Sequence, residues 1–446
     1  MKTVKVFDQP TEWYKSHFDV FERSLNGDSK SPLHQLRREA IGRFQETGFP
    51  TNRHEEWKFT NISPIAKTGF EPVLRYAGEV VTEEQLAPLT LPTAHRLVFV
   101  NGHFSPALSS TGQLPKGVEC GSLSSAVRSA HAGIAKYLGK LVKFDETPFV
   151  SLNTAFLLDG AFLYVPDNIV VEEPIQFLFL ATGDAPALIT PRNLVVIGEQ
   201  SQATIVESYG FTQGGRYLTN VVTEMLLGDG AVVEHDKLQH ESTNAYHIAM
   251  MQADLSSHST LTSNSIALGG AIVRNNITAR LGGEGIECTL NGLSLGTGSQ
   301  LIDNHTTIDH AKPHCASHEL YKAVLDGTSR GVFNGKIFVR QDAQKTDAKQ
   351  TNKTLLLSDD ATMDTKPQLE IFADDVKCTH GATIGQLDAE QIFYLRSRGI
   401  GELNARDILT FAFASDVVSR VHHDALRERL ESLVHERLNG GRAIGD

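Results

Sequence analysis

Ala203-Thr204-Ile205-Val206 opens a series of strand starts that continues at Ala231-Val232-Val233, at Ser259 and at Ile286, at intervals of about 28 residues. Each start follows a turn containing Gly or Ser, and the runs are short and rich in β-branched residues. Similar runs stand at Ile169-Val170-Val171, at Leu194-Val195-Val196-Ile197 and over residues 320–325. A period of this length matches one coil of a β-solenoid, in which coils stack and their inward apolar positions form a continuous core. A β-sandwich with the same strand spacing is the competing architecture.

On either side the period changes. Residues 33–44 and 123–142 read as amphipathic helices, the second with Val127, Ile134, Leu138 and Val142 at helical spacing. Arg96-Leu97-Val98-Phe99-Val100 reads as a strand that ends in the turn Asn101-Gly102. After Gly385 the pattern is helical again. Asp388 can cap a helix that holds Ile392, Phe393 and Leu395 and stops at Gly399. Two more helices follow over residues 403–421 and 425–438, the last with Leu426, Leu430, Leu433 and Val434 on one face. These helices fit two roles, a cap over the open end of the solenoid and a docking platform for another subunit. The expected division is a mostly helical N-terminal domain over 1–150, the solenoid core over 151–385 and a helical C-terminal domain over 386–446.

With 446 residues the chain exceeds one ordinary compact core. Its net charge of −12, with basic residues dispersed, argues against a nucleic-acid or anionic-membrane surface. The four cysteines, Cys120, Cys288, Cys315 and Cys378, lie far apart and form neither a disulfide framework nor a self-contained cluster motif. Residues 1–10 lack the apolar core of a signal peptide, and no run reaches the roughly 18 apolar residues of a membrane span. A cytoplasmic location is expected.

Catalytic motifs are few. Gly282-Gly283-Glu284-Gly285 lacks the Gly-Lys-Ser/Thr ending of a P-loop and reads as a turn. No His-Glu-x-x-His helix occurs. His305, His310, His314, Cys315 and His318 are the densest run of potential metal ligands, with His314, Cys315 and His318 the candidate metal set. Extended backbone turns neighbours such as His314 and Cys315 to opposite faces, so cross-strand packing is the alternative. In Cys378-Thr379-His380 the first and third residues share a strand face and suit a metal or cluster contact. Two ligands are too few for a closed site, and a partner chain would have to complete it. The plainer alternative is a buried thiol beside a surface histidine. Asp359-Asp360 and Asp374-Asp375 read as solvated turn residues.

The densely polar residues 334–358 lead into Pro367-Gln368-Leu369-Glu370-Ile371, then Asp374-Asp375-Val376-Lys377-Cys378-Thr379-His380-Gly381-Ala382-Thr383, then Phe393-Tyr394-Leu395-Arg396-Ser397-Arg398-Gly399-Ile400. Together these resemble the SufB/SufD family of iron-sulfur cluster assembly proteins. Arg53-His54-Glu55-Glu56-Trp57-Lys58-Phe59-Thr60 and Asn101-Gly102-His103-Phe104-Ser105-Pro106 carry the resemblance toward the N-terminus. Gly381, where SufB tends to have Glu, and Leu395-Arg396-Ser397-Arg398 resemble the SufD form.

The resemblance implies a right-handed parallel β-helix flanked by helical terminal domains, in a non-enzymatic assembly subunit. Its partners would be a SufB-like scaffold, met through the β-helix ends, and a SufC-like ATPase, met through the C-terminal helices. The isolated chain could form a homodimer and would hold no cofactor stably. An iron-sulfur cluster would be present transiently at the SufB interface, with His380 and then Cys378 as the residues that meet it. The polar stretch would form a subunit edge whose Gln, Asn and Lys avoid an exposed apolar strand. Two other readings are the SufB paralogue acting as the scaffold itself and a β-helix polysaccharide lyase or hydrolase.

Overall fold

A computed structural model describes residues 10–25, 31–75, 81–145 and 147–438. The run 1–9, read above for a signal peptide, lies outside them.

The repeat seen in the sequence is the spacing of a backbone corner. Asn168, Gln200, Gly230, His258, Gly285, His314 and Lys345 all have left-handed backbone, with φ between 52° and 67°. From Gln200 onward the amide of each donates to a carbonyl one coil further along: Gln200 to Asp229, Gly230 to Ser257 and His258 to Glu284, each at 2.8 Å, and His314 to Gln344 at 2.9 Å. One left-handed residue per coil turns the chain through the same corner each time, which is why the coils stack.

Between corners each coil lays down two strands, one in each of two 11-stranded sheets. Tyr246–Leu255, Ile272–Leu281, Leu301–His310, Arg330–Val339 and Thr362–Ile371 are successive in the first sheet. Val232–Gln239, Thr260–Ala267, Glu287–Gly296, Ala316–Leu325, Asp347–Leu356 and Lys377–Gly385 are successive in the second. All these pairings are parallel. The fold is thus the mainly β parallel solenoid expected, and not the sandwich.

The register places Ala231, Ser259, Ile286 and Cys315 in one buried column beside the corner. Gln202 pairs with Val232, so Ser201 and not Ala203 stands beneath Ala231, that coil being longer than the period read from the sequence. Residues 123–142 form two helices, Leu123–Arg128 and Ala132–Tyr137, instead of one. Ala130 turns left-handed at φ 53° and the His131 amide donates back to Ala126, which ends the first helix. Ile169-Val170-Val171 supplies a single bridge, from Val170 to Gln202.

The polar residues 334–358 do not form an edge. Their strand Asp347–Leu356 is covered by Lys377–Gly385, and the strand alternation turns Ala348, Gln350, Asn352 and Thr354 into the lumen while Lys349 and Lys353 stay exposed.

Both flanks are covered. Tyr14, Phe18, Phe44, Trp57 and Phe149 from the N-terminal helices and turns join Leu218, Tyr246, Ile248 and Ile272 of the first sheet in one core. His95–Val100 adds a parallel strand beside Ile175–Ala181, so the N-terminal region also builds the start of the second sheet. On the opposite flank, Glu402–Val418 and Asp424–Leu438 bury Ala414, Val417, Leu426, Leu430 and Val434 against Leu238, Ile266, Leu293 and Leu320. The C-terminal helices therefore lie along the side of the solenoid and do not cap its end. Among the described residues no helix is long and apolar enough to cross a membrane.

Because those helices cover an apolar flank, ending the chain after Gly399 should destabilise the solenoid and make it aggregate. Leu430→Ala, at a side chain 1% exposed, should cost about 2–5 kcal/mol in urea denaturation. A loss under about 0.5 kcal/mol would show that the helix packs loosely.

Candidate functional site

The two ends of the solenoid differ. At the start, the antiparallel strand Glu119–Ser122 closes the first sheet and His103–Phe104 closes the second. At the other end Thr362–Ile371 and Lys377–Gly385 are the last strands of their sheets, and among the described residues no strand covers them. Ile371, Phe372 and Ile384 are 38%, 58% and 47% exposed there. An uncovered pair of parallel edges with apolar side chains is a template for another chain.

Cys378 and His380 stand on this last coil. Cys378 is in register with Ala348 and, through it, with Ser317 and Cys288, all facing the lumen. It is half-buried against Ile337, Val339 and Ala348, and burial, with Asp347 nearby, pushes its thiol above the ordinary value. His380 is exposed two residues further on, on the same face and in register with Gln350.

His314, Cys315 and His318 do not converge. His314 is an exposed corner residue. Cys315 points inward, its Sγ donating to the Gly283 carbonyl at 3.3 Å, and burial raises its pKa. His318 is exposed on the outer face between Thr289 and Lys349. Alternation and the corner separate the three. His310 is buried with Nε2 2.9 Å from Ser317 Oγ and is held down at about 4 by desolvation. Among the described residues no three His, Cys, Asp or Glu side chains are grouped to hold a metal.

Two features escaped the sequence reading. Beneath His380 the register column continues through Gln350 to Glu319, respectively 2% and 3% exposed, with Gln350 Nε2 donating to Glu319 Oε2 at 2.5 Å. Burial raises the Glu319 carboxyl to about 7. The spacing of these three residues is that of the coils, and the repeat could have revealed it. The second feature involves the motif at 53–60, which docks on the first sheet. Arg274 packs 3.8 Å from the Trp57 ring and donates to the Glu56 carbonyl at 2.6 Å and to Asp303 at 2.8 Å. His305 lies 3.0 Å from Asp303 and 3.3 Å from the Glu56 carboxylate. Against desolvation, His305 and Arg274 hold Asp303 down at about 2. Glu56, Trp57, Arg274 and His305 line a groove of about 540 Å³ between the N-terminal region and the sheet.

A third surface lies on the helix Ala389–Ser397, which Asp388 caps by accepting from the Glu390 amide at 2.8 Å. None of its residues is buried. Phe393, Tyr394 and, on the next helix, Leu403 and Ile408 are 73%, 58%, 62% and 46% exposed.

A parallel solenoid with one open end, capped and flanked in this way, defines the class of the protein. Residues 179–413 match the SufBD core domain of the SUF system for FeS cluster assembly, and residues 8–177 match the SufBD protein N-terminal region. The chain belongs to the SufBD family of iron-sulfur cluster assembly proteins. Within that family it is similar to the iron-sulfur cluster assembly protein SufD of Escherichia coli, at 32% identity over 93% of this chain and 95% of that protein. It is also similar to a SufBD family protein of Synechocystis, at 36% identity over 92% of both chains, and to SufD of Bacillus subtilis, at 27% identity over 91% of this chain and 94% of that one. The chain is SufD-like.

Glu319 makes the stability depend on pH. Its folded value of about 7 exceeds the ordinary 4.5, so the stability that protonation contributes is complete below about 4.5 and lost as pH rises through 7. Urea denaturation at pH 5 and pH 8 should show the wild type falling, and Glu319→Gln falling less. Equal slopes would mean that the carboxyl does not titrate in this window.

Proposed function

We propose that this chain is the non-ATPase subunit of a SUF assembly complex and that the open coil is its working surface. The exposed Ile371 and Ile384 beside two uncovered parallel edges support this most directly. A SufB-like scaffold with a matching coil would extend both sheets and cover the lumen end. A second copy of this chain could occupy the same edge when the scaffold is absent. His380 and Cys378 would then face the partner across the junction. There the imidazole supplies a borderline ligand and the partner the principal thiolate, so a nascent cluster is held between chains as cargo and not by either alone.

Two substitutions separate docking from chemistry. Ile384→Asp should abolish co-purification with the scaffold, because a carboxylate would be buried in an apolar junction. His380→Ala should leave the complex intact and strongly reduce maturation of iron-sulfur enzymes in cells, with Cys378→Ala reducing it less. Normal maturation with His380→Ala would remove the residue from the site.

The unburied helix Ala389–Ser397 supports a second contact, with a SufC-like ATPase. Its paired aromatics are the anchors a helix-packing interface uses. Phe393→Ala with Tyr394→Ala should cost the ATPase at least tenfold in affinity, read by pull-down or calorimetry, without changing the melting temperature. Undiminished binding would move the contact elsewhere.

A further inference from the structure

The lumen directly below His380 is polar where a solenoid interior is ordinarily apolar, and its polar groups are ordered. Gln350 lies in register under His380 and Glu319 in register under Gln350, with coils ~4.8 Å apart. Gln350 Nε2 donates to Glu319 Oε2. This bond uses the amide's donor end and sets its orientation. The other end, Gln350 Oε1, is buried with no hydrogen-bond partner among the described residues. The amide fits only because residue 335, on the strand Arg330–Val339, is glycine: a Cβ there would stand 2.3 Å from Gln350 Nε2. The next residue along the column toward the open end is His380. A buried carbonyl oxygen without a donor has lost its hydrogen bonds to water and gained none in return. An imidazole N–H from the coil above would satisfy it.

We propose that Gln350, held by Glu319, accepts one ring N–H of His380 and so fixes the tautomer and direction of the imidazole, leaving the other ring nitrogen as a lone-pair donor at the open end. Histidines that bind metals commonly donate their second N–H to a carbonyl or carboxylate, which orients the ring and raises its basicity. Gln350 and Glu319 are positioning residues here, acting on His380 from inside the solenoid. The inference rests on the reading of His380 as a cluster-facing residue, but the ring-nitrogen state can be measured whether or not that reading holds.

The experiment uses the full chain labelled with ¹⁵N-histidine, with the His380 signals assigned by their loss in His380→Ala. At a pH where the ring is neutral, the wild type should show two well-separated ring ¹⁵N shifts, those of one tautomer. Gln350→Met removes the acceptor at similar volume and should collapse the two shifts toward the average of interchanging tautomers. Gln350→Glu keeps an acceptor and should restore the separation. Unchanged thermal melting of Gln350→Met would confirm that the fold is intact, and if it failed to fold, the wild-type and Gln350→Glu spectra would still decide. Averaged shifts in the wild type, or identical spectra in wild type and Gln350→Met, would overturn the proposal. In cells, Gln350→Met should reduce iron-sulfur enzyme maturation partway toward the His380→Ala level. Normal maturation in both variants, with the tautomer result intact, would count against the role of His380 and not against the Gln350 contact.

Discussion

Everything in this molecule depends on a corner that repeats in register. One left-handed residue per coil, with its amide bonded to the next coil, fixes where each strand begins. Side chains alternate strictly along a strand, so a slip of one residue would turn every coil inside out. Gly285 meets the backbone demand freely, while Gln200, His258, His314 and Lys345 meet it at some conformational cost. Those positions are exposed, and their chemistry is free to vary as long as the turn is made.

The same register lets the interior hold charge. Lys237 Nζ lies 2.9 Å from His247 Nε2 and 2.8 Å from Asn275 Oδ1, and His247 Nδ1 lies 2.7 Å from Glu241. Tyr209 donates to Glu207 at 2.7 Å. Burying these groups costs desolvation that their mutual bonds offset, and a slipped coil would leave each of them alone. Columns of polar residues inside a solenoid therefore penalise the wrong register more than columns of leucine would. The column from Glu319 to His380 follows the same logic, except that it ends at an open coil instead of within the stack.

Closure at one end and openness at the other give the protein its direction. Antiparallel strands finish the first coils, the N-terminal aromatics cover one flank and the C-terminal helices the other. Among the described residues, the last coil with Cys378 and His380 and the short helix with Phe393 and Tyr394 stay uncovered. In the function proposed above, the chain works through these surfaces, and its chemistry is completed by what docks there.

Much of this was legible in the sequence. The recurring strand starts, the helical C-terminus with its Asp388 cap and the shared face of Cys378 and His380 are local properties, set by turn residues and by periods of two and 3.6. The direction of a face is not local. Residues 334–358 read as a polar edge and are in part a covered strand with Gln350 and Asn352 inside, because inside is defined by the opposite sheet. His314 and Cys315 are adjacent in sequence yet serve as corner and core. The amphipathic C-terminal helices carried no information on whether they cap or flank, since an apolar stripe states only that something must cover it. The sequence by itself determined the repeat, the solenoid and the family. Only the tertiary structure decided which side chains enter the lumen, which end stays open and what lies beneath His380, because each of those depends on contacts between residues a whole coil or more apart.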